Sequence, residues 1–231
     1  MNFQAHCVLS IVAACGGVFA ASAASVPVYD DLVQVESRRL DEVHLRPEAD
    51  LGRYRSILLD PVQVQVRDDW LKSMNYQSRH PARRLGEDDA RRIADETADS
   101  LRDILAEAFH VRGYRIVAAP EAGVLRLSAK VVDLYVNAPD RLSPWGTKTF
   151  TRDAGQATLL LEVRDAASGR LLGRILHRGK AEQTSRLALA TNVSNRFWFD
   201  ALFGRWAANC VAEFETDRSR QGRSTDPAAG R

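Results

Sequence analysis

The chain has 231 residues, 45% of them hydrophobic and 27% charged, which is enough apolar material for one domain with its own core. Its 32 basic and 30 acidic residues leave a formal charge of +2, whereas a dedicated nucleic-acid binder carries a basic excess or a segregated basic stripe. Nucleic acid is therefore set aside as a partner. Lysine occurs only at Lys72, Lys130, Lys148 and Lys180; the other basic residues are arginines, a bias that genomic base composition explains as readily as function.

Cys7 to Ala23 form the one long apolar stretch. It contains Gly16-Gly17 and ends in small residues, the pattern of an export leader rather than a membrane-spanning helix. Ala21-Ser22-Ala23 fits cleavage before Ala24, giving a leader of residues 1–23. Val12-Ala13-Ala14-Cys15 resembles a lipobox, which would make residues 1–14 the leader and Cys15 an acylated first residue. Both cleavages stand, although no Lys or Arg precedes Val28. Plain cleavage leaves Cys210 alone, and lipidation leaves a blocked Cys15 beside it, so neither product can close an internal disulfide. Cys210, set among Trp206, Val211 and Phe214, reads as a small buried hydrophobe.

Residues 24–50 are polar and read as a tether or wrapping arm ahead of a domain over residues 51–216. Tyr54 to Val66 reads as strand, first an apolar run (Ile57, Leu58, Leu59) and then alternation at Val62, Val64 and Val66. Pro61 lacks an N–H and places this strand at a sheet edge or a bulge. Arg67 to Gly86 reads as a polar stretch, either a functional loop or one partly ordered by its own apolar residues Trp70, Leu71 and Met74, with a basic patch at Arg79, His80, Arg83 and Arg84.

Glu87 to Phe109 carries helical spacing through Ala90, Ala94, Thr97, Leu101, Ile104 and Ala108. Glu87, Asp88 and Asp89 suit its positive amino end, and Gly113 supplies the left-handed stop. Its charges read as those of a solvated helix face and call for no partner. Tyr114 to Val117 is a short strand and Val124 to Val136 a long one. The latter loses its parity between Val131 and Leu134, which a bulge near Val132-Asp133 would absorb.

Asn137 to Gly155 is a second loop, bearing Trp145 and Phe150. Ala157 to Val163 alternate, Asp165 to Gly169 is turn chemistry, and Leu171 to Ala181 return as the second arm of a hairpin. Here His177 shares an apolar face and reads as a core or edge histidine. Asn192 to Phe214 closes the domain as an aromatic-rich helix, and residues 217–231 read as a disordered tail.

No metal-binding, P-loop, nucleophile-elbow or dinucleotide motif is present, so no cofactor is expected. Asp133, Asp165 and His177 are the residues a periplasmic hydrolase would use. Trp70, Arg83, Arg84 and Trp145 are the candidate contacts of a binding protein, together with the edge at Pro61.

Val43-His44-Leu45-Arg46-Pro47 followed by Tyr54 to Val62, then Val124 to Leu134 and Asp165 to Leu172, resemble successive segments of a bacterial family of exported proteins, domain of unknown function 3313. Many of its members look like lipoproteins. The resemblance implies an envelope location and transfers no catalytic residue. The order of elements also looks like small α+β domains of envelope-assembly lipoproteins, as fold analogy. The expectation is one α+β domain, a mainly antiparallel sheet of four or five strands with two long helices packed on one face. Its expected role is non-catalytic binding of an envelope protein or membrane component.

Overall fold

The computed structural model describes residues 31–47, 49–76, 84–137, 150–151, 153–182, 188–189 and 192–224, with 150–151, 188–189, 192–194 and 217–224 described by backbone alone. The folded unit begins at Asp31. Its strands are β1 (Val33–Val35), β2 (Glu42–Leu45), β3 (Ser56–Leu59), β4 (Gln63–Val66), β5 (Arg115–Val117), β6 (Val124–Val136), β7 (Phe150–Thr151), β8 (Asp153–Asp165), β9 (Leu171–Glu182) and β10 (Ala188–Leu189). The helices are α1 (Trp70–Tyr76), α2 (Glu87–Val111) and α3 (Asn192–Ser224).

One eight-stranded sheet has the order β1-β2-β9-β8-β6-β3-β5, with β4 also pairing β6; β7 and β10 form a separate two-stranded ribbon. This corrects the expected four or five strands. It also corrects the strand sense in part, because β3 runs parallel to both β5 and β6, and β4 runs parallel to β6. The parallel pairs arise because α2 crosses over the sheet between β4 and β5, returning the chain in its original direction. Pro61 lies in the break between β3 and β4, where its missing N–H removes no ladder bond.

The polar arm contributes β1 and β2, so Val33–Val35 and Glu42–Leu45 belong to the sheet rather than to a tether. Its turn is tied down by α3: Ser37 Oγ donates to Glu213 Oε1 (2.7 Å), and Asn209 Nδ2 donates to the Arg39 carbonyl. The polar stretch from Arg67 to Gly86 contains α1. The helix of the closing segment runs on through Ser224, into the stretch read as a disordered tail.

Both long helices lie on one face, as expected, α2 over β3, β4 and β5, and α3 over β8 and β9. Leu125, Leu127, Ala129, Val131, Leu159, Leu161, Val163 and Ile175 point to that face and are buried against Leu105, Phe109, Phe203 and Trp206. The predicted bulge is present. The β6–β8 register shifts between Val132 and Tyr135, and Asp133 takes up the extra residue at φ +54°, a left-handed conformation that Asp tolerates better than most residues. Leu134 and Val136 thereby return to the core.

Glycine is required at one close approach and eases a second. A Cβ on Gly155, at φ +144°, would lie 1.9 Å from the Tyr135 carbonyl oxygen, where the β8 backbone passes the bulged strand. On Gly179 it would lie 2.5 Å from Leu202 Cδ1, which is how closely α3 is seated on β9.

Candidate functional site

Strand parity builds the site. With one set of side chains on β6, β8 and β9 committed to the core, the alternate set forms the opposite, outer face. Its members include Ser128, Lys130 and Val132 from β6, Gln156, Thr158, Leu160 and Glu162 from β8, and Arg174, Leu176, Arg178 and Lys180 from β9. Thr158 is buried, Leu160 and Leu176 are half-buried, and Gln156, Arg178 and Lys180 are exposed. The chain register places Lys130 opposite Leu160, Leu160 opposite Leu176, and Gln156 opposite Lys180.

A groove of about 540 Å³ opens at the bulged end of this face, lined by Arg67, Asp133, Gln156, Thr158, Arg178, Lys180 and Glu182. The guanidinium of Arg67 lies 4.1 Å from the centroid of the Tyr135 ring, and its Nε donates to Asp69 Oδ1 (2.8 Å). Along the rest of the face Arg126 donates to Asp60, Arg164 pairs with Glu162 at 2.8 Å, and Arg178 comes within 3.8 Å of Glu42. Lys130 and Lys180 have no ion-pair partner among the described residues. The groove thus sets Gln156 and Thr158 among three cations and two carboxylates, which is binding chemistry.

A second concavity, about 350 Å³, separates α2 from α3 and is lined by Ile93, Thr97, Val136, Phe199 and Phe203. Ser100 Oγ donates to Asp200 Oδ1 (2.5 Å) across it and ties the two helices together.

The three residues proposed for hydrolysis occupy different places. Asp133 stands exposed in the bulge on the outer side. Asp165 ends β8, paired in register with Leu125, eight positions along β6 from Asp133 and hence about 26 Å away by strand rise. His177 belongs to the helix-covered face, its ring 6.3 Å from that of Trp206. Its Nδ1 is 3.3 Å from Asp41 Oδ2 but off the hydrogen-bonding direction. They do not converge on one reacting atom.

Asp165 is instead a structural anchor. Its Oδ1 accepts from Ser168 N and Ser168 Oγ (both 2.8 Å), and its Oδ2 accepts from the buried Tyr54 Oη (2.7 Å). Arg53 Nη2 donates to Tyr54 Oη (2.6 Å) and lies 3.4 Å from Asp165 Oδ2. The Ser168 amide, then the two hydroxyls, hold the Asp165 carboxyl down to about 2 against the opposing effect of burial. Cys210 is buried, and burial, reinforced by Glu213, pushes its thiol up to about 12; it is an inert core residue.

Of the candidate contacts, Trp70 needs correction. It is fully buried, and its Nε1 donates to the Val136 carbonyl (2.9 Å), so it packs α1 onto the end of β6. Replacing such a ring with Ala costs about 3–5 kcal/mol and reports on folding rather than on binding. Arg84 is exposed, three residues before α2 begins at position 87. Arg83, Trp145 and Cys15 lie outside the described residues. Sequence reading missed Arg67, Arg178 and Lys180 as a group; their signal was the polar half of the strand alternation, which does not say which face stays uncovered. Among the described residues there is no group of three or more metal-ligating side chains, and no helix is long and apolar enough to cross a membrane.

An α+β domain with both long helices on one side of a broad mixed sheet and, among the described residues, a polar face on the other is the class of protein this geometry defines. The chain belongs to the family described as Protein of unknown function (DUF3313), whose model matches residues 20–210. Comparison with curated proteins gave no match. Similar solved structures include the PelC dodecamer from Paraburkholderia phytofirmans, at 13% identity over 77% of this chain and 95% of that one, with a TM-score of 0.35. A protein of family DUF330 from Xanthomonas campestris is similar at 11% identity over 76% and 92%, with a TM-score of 0.39. A DUF4136 family protein from Bacteroides thetaiotaomicron is similar at 11% identity over 81% and 99%, with a TM-score of 0.36. At these TM-scores the likenesses assign no site.

The Asp165 anchor carries a pH signature. Its folded value lies below the unfolded one of about 3.9, so its contribution is complete above pH ~4 and is lost as the pH falls through about 2. Asp165→Asn is expected to lower unfolding free energy by about 2 kcal/mol at pH 7 in urea titrations. The difference from the parent protein should shrink between pH ~4 and pH ~2. An unchanged stability at pH 7 would show that the anchor contributes nothing, and a difference constant with pH would show that its contribution does not depend on the carboxylate's charge.

Proposed function

We propose that this chain is an exported cell-envelope protein that works by binding rather than catalysis, and that the outer sheet face is its contact surface. The observation that carries this reading is the combination on that face of the half-buried Lys130 and the exposed Lys180, which have no ion-pair partner among the described residues, with half-buried leucines and a groove at the bulged end. Hydrophobic contact at Leu160 and Leu176 supplies affinity, and the surrounding charges supply orientation and selection. The partner is an envelope protein or membrane component. Export is supported by the apolar stretch from Cys7 to Ala23 and its two cleavage patterns.

The location is tested by the intact mass of the protein recovered from envelope fractions. A mass beginning at acylated Cys15 or at Ala24 supports export, the first with a lipid anchor and the second without. An uncleaved chain recovered from the cytoplasm would refute it. The contact surface is tested by placing a photo-crosslinker at Gln156, with one at Glu121 in an exposed turn as the comparison. An envelope adduct specific to Gln156, reduced at least tenfold by Lys130→Glu with Lys180→Glu at unchanged thermal midpoint, is expected. Identical adducts at both positions, or none at Gln156, would remove the outer face from consideration.

A further inference from the structure

We propose that the slot between α2 and α3 binds a single uncharged alkyl or acyl chain, of the kind a membrane lipid carries. It lies on the helix side of the sheet, so this inference goes beyond the reading of the outer face and does not depend on it. The two helices run in the same direction, since Ser100 meets Asp200, Phe109 meets Phe214 and Arg112 meets Glu215. They are packed through aromatic rings toward their carboxyl ends and part toward their amino ends, where the slot opens.

The residues of α2 account for the gap. From Leu101 onward its apolar stripe carries large side chains, and Leu101, Leu105 and Phe109 are fully buried. In the preceding turns the same stripe consists of Ala90, Ala94 and Thr97 with Ile93 beside them, and all four are half-buried. Alanine and threonine are too short to fill the space in front of them. The facing side of α3 is nevertheless large and apolar, with the buried Phe199 and Phe203 at a ring-centroid distance of 5.9 Å. Val136, at the end of β6, adds a buried apolar wall. The space left among Ile93, Val136, Phe199 and Phe203 is the concavity of about 350 Å³. An apolar cleft of that size falls within the range of about 300–1,000 Å³ that proteins keep for small ligands.

The rim fixes the chemistry of the occupant. Arg92 is paired with Asp89 and Glu96, and Arg196 lies within 3.9 Å of Asp200. These charges are matched among themselves, so the part of the ligand that enters is uncharged. The hydrogen bond from Ser100 to Asp200 closes the slot toward the carboxyl ends, and entry is from the amino ends. A gap between two helices lying side by side is elongated along their axes, which suits a chain. A dry apolar cavity of about 150 Å³ accepts benzene, so a space a little over twice as large accepts about twelve carbons.

Titration calorimetry with 1-hexanol, 1-octanol and 1-decanol tests this on the chain from Ala24, which contains the whole folded unit, after refolding from urea to strip carried-over lipid. One saturable site is expected, with affinity rising about fourfold per methylene. Thr97→Trp, which fills the slot, should weaken 1-decanol binding at least tenfold while leaving the thermal midpoint unchanged or raised. Should that variant fail to fold, photolabelling of the parent protein with a diazirine-bearing decanol decides. The label should fall on peptides containing Ile93 to Thr97 and Phe199 to Phe203, and 1-decanol should displace it. Absence of saturable binding, affinity indifferent to chain length, 1-decanol binding undiminished in a folded Thr97→Trp, or label elsewhere overturns the proposal. Binding that appears only in Trp145→Gly overturns it as well, because the occupant would then be a side chain of the protein itself.

Discussion

Alternate residues of β6, β8 and β9 point to opposite sides of the sheet, and the structure depends on keeping that parity over strands of 13, 13 and 12 residues. A slip of one position would drive Leu159, Leu161 and Ile175 into water and turn Lys130, Glu162 and Arg174 against the helices. Burying even one unpaired charge costs several kcal/mol, so the register is strongly specified. β6 passes the constraint by a local device. Asp133 absorbs one residue in a left-handed turn, and Leu134 and Val136 rejoin the apolar set.

The rest of the fold preserves this arrangement. α3 is seated on β9 through Gly179, and the bulged segment passes β8 at Gly155, where any side chain would collide with backbone. At the other end of the sheet the Tyr54–Asp165–Ser168 cluster fixes the turn between β8 and β9 and, through Arg53, the entry to β3. The helix layer is closed by aromatic contacts such as Phe109–Phe214 and Phe203–Trp206. Among the described residues no helix layer covers the outer face, and its chemistry there is set by the polar half of the strand pattern.

What could be read from the sequence was what depends on local periodicity. α2, the long strand from Val124 with its bulge, and the hairpin turning at Asp165 to Gly169 all follow from spacing within a few residues. Parallel pairing of Ser56–Leu59 with Val124–Leu127 does not, because the partners are separated by the whole of α1, α2 and β5. β1 and β2 are too short and polar to announce a place in the sheet. α1, at seven residues, is too short for a helical period, so Trp70 looked like a loop aromatic. Asp165 and His177 were recognisable as structural groups from their positions in a turn and on an apolar face. Lys130, Arg178 and Lys180 were visible as polar strand positions, but their coming together on an uncovered face is a property of the tertiary arrangement.

If the outer face is the working surface of the protein, it is covered when the protein is in the envelope. Lysine footprinting tests it most directly, because Lys130 and Lys180 lie on that face and Lys72 is exposed on α1 as an internal reference. Amine-reactive labelling would be compared between the protein in envelope fractions and the purified protein, dilute in high salt. Lys130 and Lys180 are expected to be protected in the envelope while Lys72 is labelled equally in both. Equal labelling of all three lysines in the two preparations would contradict it.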